Sequence, residues 1–189
     1  MSYIDLLIRF IFFLPVWPFC LLGYLKHKDY IDADLKGISV KGGGISLITT
    51  LLKNKTFRNI FYFRIGFIGR FLKLYLHEQE SLHILTPKIG KGFIVVHGDS
   101  TYINAQSIGD NCYVNQNVTI GVIGNKKPII GNNVRIATGA IVLGNITIGD
   151  NVVIAAGAVV VKSVPSNCMV AGNPAYIKKI NGEKVNIKL

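Results

Sequence analysis

Hydrophobic residues change their spacing along the chain, and three patterns follow one another. Residues 10–25 read FIFFLPVWPFCLLGYL, an apolar run without a charge. From residue 29 to residue 76 apolar residues recur every three or four positions, which predicts amphipathic helices. After residue 87 the spacing becomes six. The chain is therefore predicted to hold an apolar segment over 1–28, a helical region over 29–80 and a repeat domain that begins at residue 81.

The apolar run is shorter than the roughly 20 residues that a membrane-spanning helix needs. Pro15 and Pro18 also remove backbone hydrogen-bond donors within it. Three interpretations stay open: the run packs on the protein, lies in a membrane interface, or spans the membrane. Trp17, Lys26 and Lys28 suit an interface. In that case, removal of the first 28 residues should leave a folded protein.

Two helices are predicted between residues 44 and 76. Leu47, Thr50 and Leu51 share one face of a short helix that follows three consecutive glycines. Apolar residues then recur at helical spacing from Phe57 to Leu76, and these predict one long amphipathic helix. The arginines of this stretch, which include Arg58, Arg64 and Arg70, are expected on its other faces.

The spacing of six decides the fold class. An aliphatic residue at every sixth position is the signature of a β-helix built from hexapeptide repeats, in which three hexads make one triangular coil. Gly, Asn and Asp between the aliphatic residues supply the turns. A one-residue slip is expected near Thr101 and Tyr102, and four extra residues before Ile130 predict a loop over 121–129. The unbroken aliphatic series is Ile130, Ile136, Val142, Ile148, Ile154 and Val160.

Composition excludes several classes of protein. The chain is half hydrophobic and 16% charged, which excludes a disordered protein. Its net charge of +11 is spread over both halves, so it favours anionic partners in general and not nucleic acid. Cys20, Cys112 and Cys168 are too few and too dispersed for a disulfide framework, and we expect three reduced thiols. No cluster has metal-ligand spacing.

Four stretches resemble a known family: KIGKGFIVVHG (88–98), IGDNCYVNQNVTIG (108–121), residues 129–165 and AGNPAYIKK (171–179). They resemble hexapeptide-repeat acyltransferases of the serine acetyltransferase-like branch, which includes polysaccharide O-acetyltransferases. The resemblance implies a mainly β fold, with a left-handed parallel β-helix over 81–170 after a small helical region. Residues 171–189 form a C-terminal tail in this scheme.

The same resemblance implies a homotrimer that uses acetyl-CoA, with active sites between neighbouring subunits. The family histidine falls on His97, whose imidazole can take the proton of an attacking hydroxyl. Direct transfer then needs no enzyme nucleophile and no metal. Cofactor-binding residues are expected at Gly121, Val122, Thr138, Ala156 and Lys162, and substrate-binding residues at Asn104, Gln116, Asn117 and Lys127.

Two departures from the family bear on the acceptor. Leu82 stands where an acid usually orients the histidine, and Val96 stands where serine-specific members bind an ammonium. A buried ammonium without a partner costs several kcal/mol. We therefore expect a sugar hydroxyl of a capsular, exopolysaccharide or lipid-linked glycan as the acceptor. Serine O-acetylation and a non-catalytic binding scaffold remain the alternatives.

The expected location is the cytoplasm. Peripheral contact with the inner face of the membrane, through residues 1–28, is the alternative that the apolar run leaves open.

Overall fold

The computed structural model describes residues 10–11 and 14–189. The chain divides into two compact units, Met1–Glu80 and Ser81–Leu189. The first is helical and the second is a parallel β-helix of about five coils, so the fold class predicted from the repeat is confirmed.

The first named element in the described part of the chain is a 3-10 turn, Leu14–Val16, and five α-helices follow it there. Their bounds are α1 Trp17–Lys26, α2 Lys28–Gly37, α3 Gly44–Lys53, α4 Lys55–Ile65 and α5 Phe67–Leu72. The side chain of Asn54 caps α4 by accepting a hydrogen bond from the backbone N–H of Phe57 at 2.9 Å. Leu35, Leu47 and Phe61 are fully buried in the common core of these helices.

The long helix expected from Phe57 to Leu76 is wrong, because it breaks at Gly66. That residue has φ +61°, a left-handed conformation that ends α4 and separates it from α5. The expected outward position of Arg58 and Arg64 is also wrong. Arg58 donates to the backbone carbonyls of Leu51, Leu52 and His77, and Arg64 forms a buried ion pair with Asp34 at 2.9 Å.

One face of the apolar run packs into the helical core. Val16, Cys20 and Tyr24 are buried, whereas Phe19 and Leu22 on the opposite face of α1 are exposed. Burial raises the pKa of the Cys20 thiol to about 12. Removal of the first 28 residues would uncover this core, so the structure favours packing on the protein, and the expectation that the protein folds without them stays a prediction. Within the described residues, no helix is long and apolar enough to cross a membrane.

Short strands stack coil upon coil into three sheets, and the strands of successive coils pair in parallel. The strands are β1 Leu82–Ile84, β2 Ile94–Val95, β3 Thr101–Ile103, β4 Ser107–Ile108, β5 Tyr113–Val114, β6 Thr119–Gly121, β7 Ile129–Ile130, β8 Arg135–Ile136, β9 Ile141–Leu143, β10 Thr147–Ile148, β11 Val153–Ile154, β12 Val159–Val160, β13 Cys168–Ala171, β14 Tyr176–Ile180 and β15 Glu183–Lys188. The order is β1-β3-β6-β9-β12 in the first sheet, β10-β7-β4 in the second and β15-β14-β13-β11-β8-β5-β2 in the third. We name these sheets A, B and C.

The aliphatic residue of each hexad points inward, as the repeat predicts. Ile130, Ile136, Val142, Ile148 and Ile154 are all at most 3% exposed. Equivalent residues pair in register between coils, for example Ile120 with Val142 and Val114 with Ile136. Each coil therefore buries the apolar side chains of its neighbours, which is why the exact repeat is needed for the fold.

The turns between sheets B and C form a ladder of asparagine side chains. Asn111, Asn133, Asn151 and Asn167 all adopt φ between 55° and 61°. Each of the first three donates from Nδ2 to Oδ1 of the next, at 3.3, 3.0 and 2.9 Å. Asparagine is the non-glycine residue that tolerates this conformation best, so this corner of the triangle is a structural one.

The C-terminal tail extends sheet C in a way that the sequence analysis does not predict. Strands β14 and β15 pair antiparallel with each other, and β14 pairs antiparallel with β13. This hairpin follows the last coil and continues the sheet beyond it.

Candidate functional site

The predicted site residues fall on two of the three corners of the β-helix. We call the turns that lead from sheet C to sheet A the His97 corner: residues 96–100, 115–118, 137–140 and 155–158. We call the turns that lead from sheet A to sheet B the loop corner: residues 104–106, 122–128, 144–146 and 161–163. Both corners border sheet A. Within one chain, the outer face of sheet A therefore separates the His97 corner from the loop corner.

His97 lies in an irregular turn of the first coil. Its φ of 65° is followed by positive φ at Gly98 and Ser100. Positive φ is uncommon outside glycine and often marks a functional site. The hydroxyl of Thr101 donates to the carbonyl oxygen of Asp99 at 3.0 Å, and the N–H of Asn117 donates to the same oxygen at 2.8 Å. The turn is thus fixed, and the side chain of His97 is exposed to an incoming ligand.

The turn of His97 accounts for the slip in the repeat. Ile103, and not Thr101, pairs in register with Ile120. The spacing from Val95 to Ile103 is therefore eight, and the spacing from Ile103 to Ile108 is five. Two residues are inserted beside His97 and one is deleted after β3. The sequence analysis detects only the net shift of one residue, at Thr101 and Tyr102.

Four predicted residues stack on the His97 corner in successive coils. The carbonyl oxygen of Gln116 accepts from the N–H of Gly139, and that of Thr138 accepts from the N–H of Gly157. Asn117 and Ala156 are exposed at the same turns. The structure therefore brings Gln116, Asn117, Thr138 and Ala156 into one column that begins next to His97.

The remaining predicted residues lie on the loop corner. Gly121 ends β6 and is buried, and a Cβ atom at that position would lie 3.0 Å from the side chain of Leu143. Val122 is 41% exposed. Beyond it the chain turns at Gly124, where Ile123 and Lys126 exchange backbone hydrogen bonds of 3.3 Å. The loop expected after β6 is thus present as a short hairpin that also carries Lys127.

Asn104 occupies the turn of the loop corner one coil before Gly121. Its backbone N–H donates to the carbonyl oxygen of Ile120 at 2.8 Å. Its side-chain Oδ1 is buried and has no hydrogen-bond partner among the described residues. Buried polar atoms in proteins are nearly always paired, so this oxygen is a candidate acceptor for a ligand N–H or O–H.

Lys162 is exposed at the last turn of the loop corner. Its Nζ donates to the carbonyl oxygen of Leu189 at 2.8 Å. Val159, Val161 and Pro174 line a hollow of about 130 Å³ beside it. A phosphate group at Lys162 would have to share the ammonium with that carbonyl.

The two residues that depart from the family pattern, Leu82 and Val96, are apolar and at least half-buried. Leu82 is buried in β1, where it pairs with Thr101. Val96 is half-buried and is held by a hydrogen bond from its N–H to the carbonyl oxygen of Val114.

His83 and Tyr102 form an aromatic pair that the sequence analysis does not predict. His83 on β1 pairs with Tyr102 on β3, and their ring centroids are 6.1 Å apart. Both side chains are exposed on the outer face of sheet A. The two histidines His83 and His97 therefore belong to the same coil, a relation that follows only from the pairing of β1 with β3.

Comparison with known proteins finds one matching family and many relatives. The family described as "Bacterial transferase hexapeptide (six repeats)" matches residues 127–162. A serine acetyltransferase of Staphylococcus aureus (strain Mu50 / ATCC 700699) is 47% identical over 103 residues, which are 52% of this chain and 48% of that protein. The chain thus spans about half the length of the curated relatives that it matches.

Solved structures cover more of the chain. The soybean serine acetyltransferase apoenzyme is 30% identical with a TM-score of 0.64, over 78% of this chain and 67% of that one. The serine acetyltransferase of Neisseria gonorrhoeae in complex with serine is 29% identical with a TM-score of 0.67, over 82% and 70% of the two chains. These matches cover a larger share of the chain than the β-helix does. The structural similarity therefore extends beyond the β-helix.

Proposed function

The chain belongs to the hexapeptide-repeat acyltransferases, in their serine acetyltransferase-like branch, and we propose that it is an O-acetyltransferase that uses acetyl-CoA. The observation that carries the proposal is His97 at positive φ in an inserted turn, at the head of a column of small and polar residues. A binding scaffold would not need an imidazole held out in this way. The relatives at 47% and 30% identity are acetyltransferases, which supports the same conclusion.

His97 acts as general base in this proposal. The acceptor hydroxyl attacks the thioester carbonyl carbon while the imidazole of His97 takes its proton. A C–O bond forms, the C–S bond breaks, and the imidazolium returns the proton to the departing CoA sulfur. The products are the O-acetyl ester and the CoA thiol, and no covalent enzyme intermediate forms. General base catalysis of this kind contributes roughly 100- to 10,000-fold to the rate.

Acetyl-CoA binding is assigned to the small residues of the two corners. Thr138 and Ala156 are short side chains on the His97 corner, and Gly121 and Val122 are small residues on the loop corner. Lys162 meets a phosphate as a point charge. The oxygen of Asn104, together with Gln116, Asn117 and Lys127, contacts the acceptor or the acyl group.

A homotrimer brings the two corners together. Asn117 and Gly121 stand at opposite ends of a strand of sheet A, and four residues of strand span roughly 13 Å. One catalytic site that uses both corners therefore takes the His97 corner from one copy and the loop corner from its neighbour. Val122, Ile123 and Val161 are 41%, 57% and 47% exposed along the loop corner, as expected of a surface that a neighbouring copy covers.

L-Serine is the acceptor that the comparisons favour, and this differs from the expectation from the sequence alone. The relatives that cover most of this chain are serine acetyltransferases, one of them solved in complex with serine. A glycan in polysaccharide biosynthesis has no such support among them. The expectation of a sugar rested on Val96, which cannot pair with an ammonium, and on a loop that carries Lys127 before Pro128. The oxygen of Asn104 is an alternative partner for the ammonium.

A sugar hydroxyl remains the second candidate because of one observation. Val96, which stands where serine-specific members bind the ammonium, is apolar and half-buried. A neutral acceptor would leave no charge unpaired there, so it would avoid that desolvation cost.

The experiment measures the initial rate of CoA release from acetyl-CoA with L-serine and with a panel of free sugars and sugar nucleotides. We expect saturable transfer to L-serine, and mass spectrometry should identify O-acetylserine. D-Serine and L-alanine are the matched controls, since the first alters the stereochemistry and the second lacks the hydroxyl. Saturable transfer to a sugar, with none to serine, would assign the second candidate. A failure of every tested acceptor to support CoA release would contradict both candidates.

A further inference from the structure

The helical unit exposes an apolar face that its own core does not use. Phe19 and Leu22 of α1 are 53% and 61% exposed, and Phe67 and Phe71 of α5 are 69% and 55% exposed. Leu74 and Tyr75, directly after α5, are 76% and 49% exposed. We call these six residues the α1–α5 face.

The face is continuous across the two helices. Phe19 and Pro15 on one side, and Phe67, Phe71 and Leu74 on the other, line the same hollow of about 430 Å³. The rings of Phe67 and Phe71 pack edge to face, with centroids 5.1 Å apart. A contiguous apolar surface rimmed by polar residues marks a site of interaction with a protein or a membrane.

Basic residues border the face. Arg70 lies between Phe67 and Phe71 in α5, and Lys26 follows Leu22 by one turn of α1; both side chains are exposed. The unit up to residue 80 contains 11 of the 21 basic residues and 6 of the 10 acidic ones. Asp34 and Arg64 are buried as an ion pair whose charges cancel, so the unit keeps an excess of five positive charges. The face is therefore bordered by exposed cations in a unit of net positive charge.

We propose that the α1–α5 face docks on an anionic lipid bilayer, in the plane of its interface. Amphipathic helices with aromatic and aliphatic residues on one side and Lys or Arg at the edge bind such surfaces by apolar burial together with attraction to anionic headgroups. Tyr75, with an apolar ring and a polar hydroxyl, suits the headgroup level. A second copy of the chain is the weaker occupant, because it would bring two positively charged rims together.

The test is co-sedimentation of the full chain with vesicles of phosphatidylglycerol and phosphatidylcholine, compared with phosphatidylcholine alone. We expect binding to the anionic vesicles that weakens as salt is added. The double variant Phe67→Ser/Phe71→Ser should bind at least tenfold more weakly, and Arg70→Gln should lower binding to anionic vesicles by a smaller factor. Ile45→Ser is the matched control, because Ile45 is 81% exposed on α3 of the same unit and lies outside the face.

Three outcomes would overturn the proposal. The first is no binding of the wild-type chain to anionic vesicles. The second is an equal loss of binding in Ile45→Ser and in the double variant. The third is a mass by light scattering that falls in the double variant, since a second copy would then cover the face. Thermal unfolding of each variant checks that it is folded, so a loss of binding is not a loss of structure. None of these outcomes depends on the acetyl acceptor.

Discussion

At the scale of single residues, His97 combines a strained backbone with an exposed imidazole. Its φ of 65° is a conformation that asparagine tolerates better than most other residues. His97→Asn therefore keeps the turn while it removes a side chain that can accept a proton at neutral pH. The substitution separates the chemistry of this residue from its conformation.

We expect His97→Asn to lower the turnover number by roughly 100- to 10,000-fold and to leave the affinity for CoA within about twofold. The measurements are initial rates of CoA release and calorimetric titration with CoA. His83→Asn is the control, because His83 is exposed in the same coil but outside the inserted turn. A variant at position 97 that retained half of the wild-type rate would exclude proton abstraction by this residue.

Asn104 is a second residue for which a contribution to protein stability can be separated from a contribution to function. Its buried Oδ1 has no partner in the described structure, so Asn104→Ala removes an unsatisfied polar atom. We expect a melting temperature that is unchanged or higher, together with a Michaelis constant for one substrate that rises by about 2- to 10-fold. Gln106→Ala, on the exposed part of the same turn, should change neither. A lower melting temperature without any kinetic change would assign Asn104 a structural role.

At the scale of elements, the helical unit depends on ionic contacts that amphipathic patterning does not predict. Arg64 of α4 reaches Asp34 of α2 with two hydrogen bonds of 2.9 and 3.1 Å, and the two side chains are 5% and 1% exposed. Lys73 and Glu78 form a second ion pair at 2.5 Å with 43% and 23% of their side chains exposed. The helical unit thus contains a buried ion pair and a partly exposed one.

Asp34→Asn should destabilise the helical unit by about 3–5 kcal/mol, because it removes the carboxylate charge that pairs with the buried guanidinium of Arg64. Glu78→Gln, which breaks the exposed pair, should cost less than about 1 kcal/mol. Urea unfolding followed by circular dichroism at 222 nm measures both. Equal effects of the two substitutions on the free energy of unfolding would mean that burial does not increase the contribution of the Arg64 pair to stability.

At the scale of the whole molecule, the proposed site requires more than one chain. Light scattering should give a mass of about three times the 20.8 kDa of one chain. Val122→Trp, at an exposed position of the loop corner, should block the acetyl-CoA groove without unfolding the protein.

Co-refolding of His97→Asn with Val122→Trp then tests whether sites are shared. Each site in a trimer takes its His97 corner from one copy and its loop corner from the neighbouring copy. If the two variants mix at random, both corners are intact in about a quarter of the sites, so about a quarter of the wild-type activity should return. Co-refolded variants that remain inactive would contradict a shared site, even if the mass is that of a trimer.

The sequence by itself determined the β-helix and the position of the candidate base. Because each hexad packs against an equivalent hexad in the next coil, an aliphatic residue at every sixth position leaves few other folds in which all of them are buried. The series from Ile130 to Val160 follows this rule without a break, and its residues are buried as expected. His97 was found through the residues around it, which resemble those of the family.

Tertiary structure decided what depends on contacts between distant residues. Arg58 and Arg64 are buried because backbone carbonyls and Asp34 happen to meet them, and helical spacing contains no information about such partners. The repeat revealed a net slip of one, whereas only the register of Ile103 with Ile120 shows two inserted residues and one deleted. The division of the site residues between two corners follows in the same way, since the corner that a residue occupies depends on how the coils close.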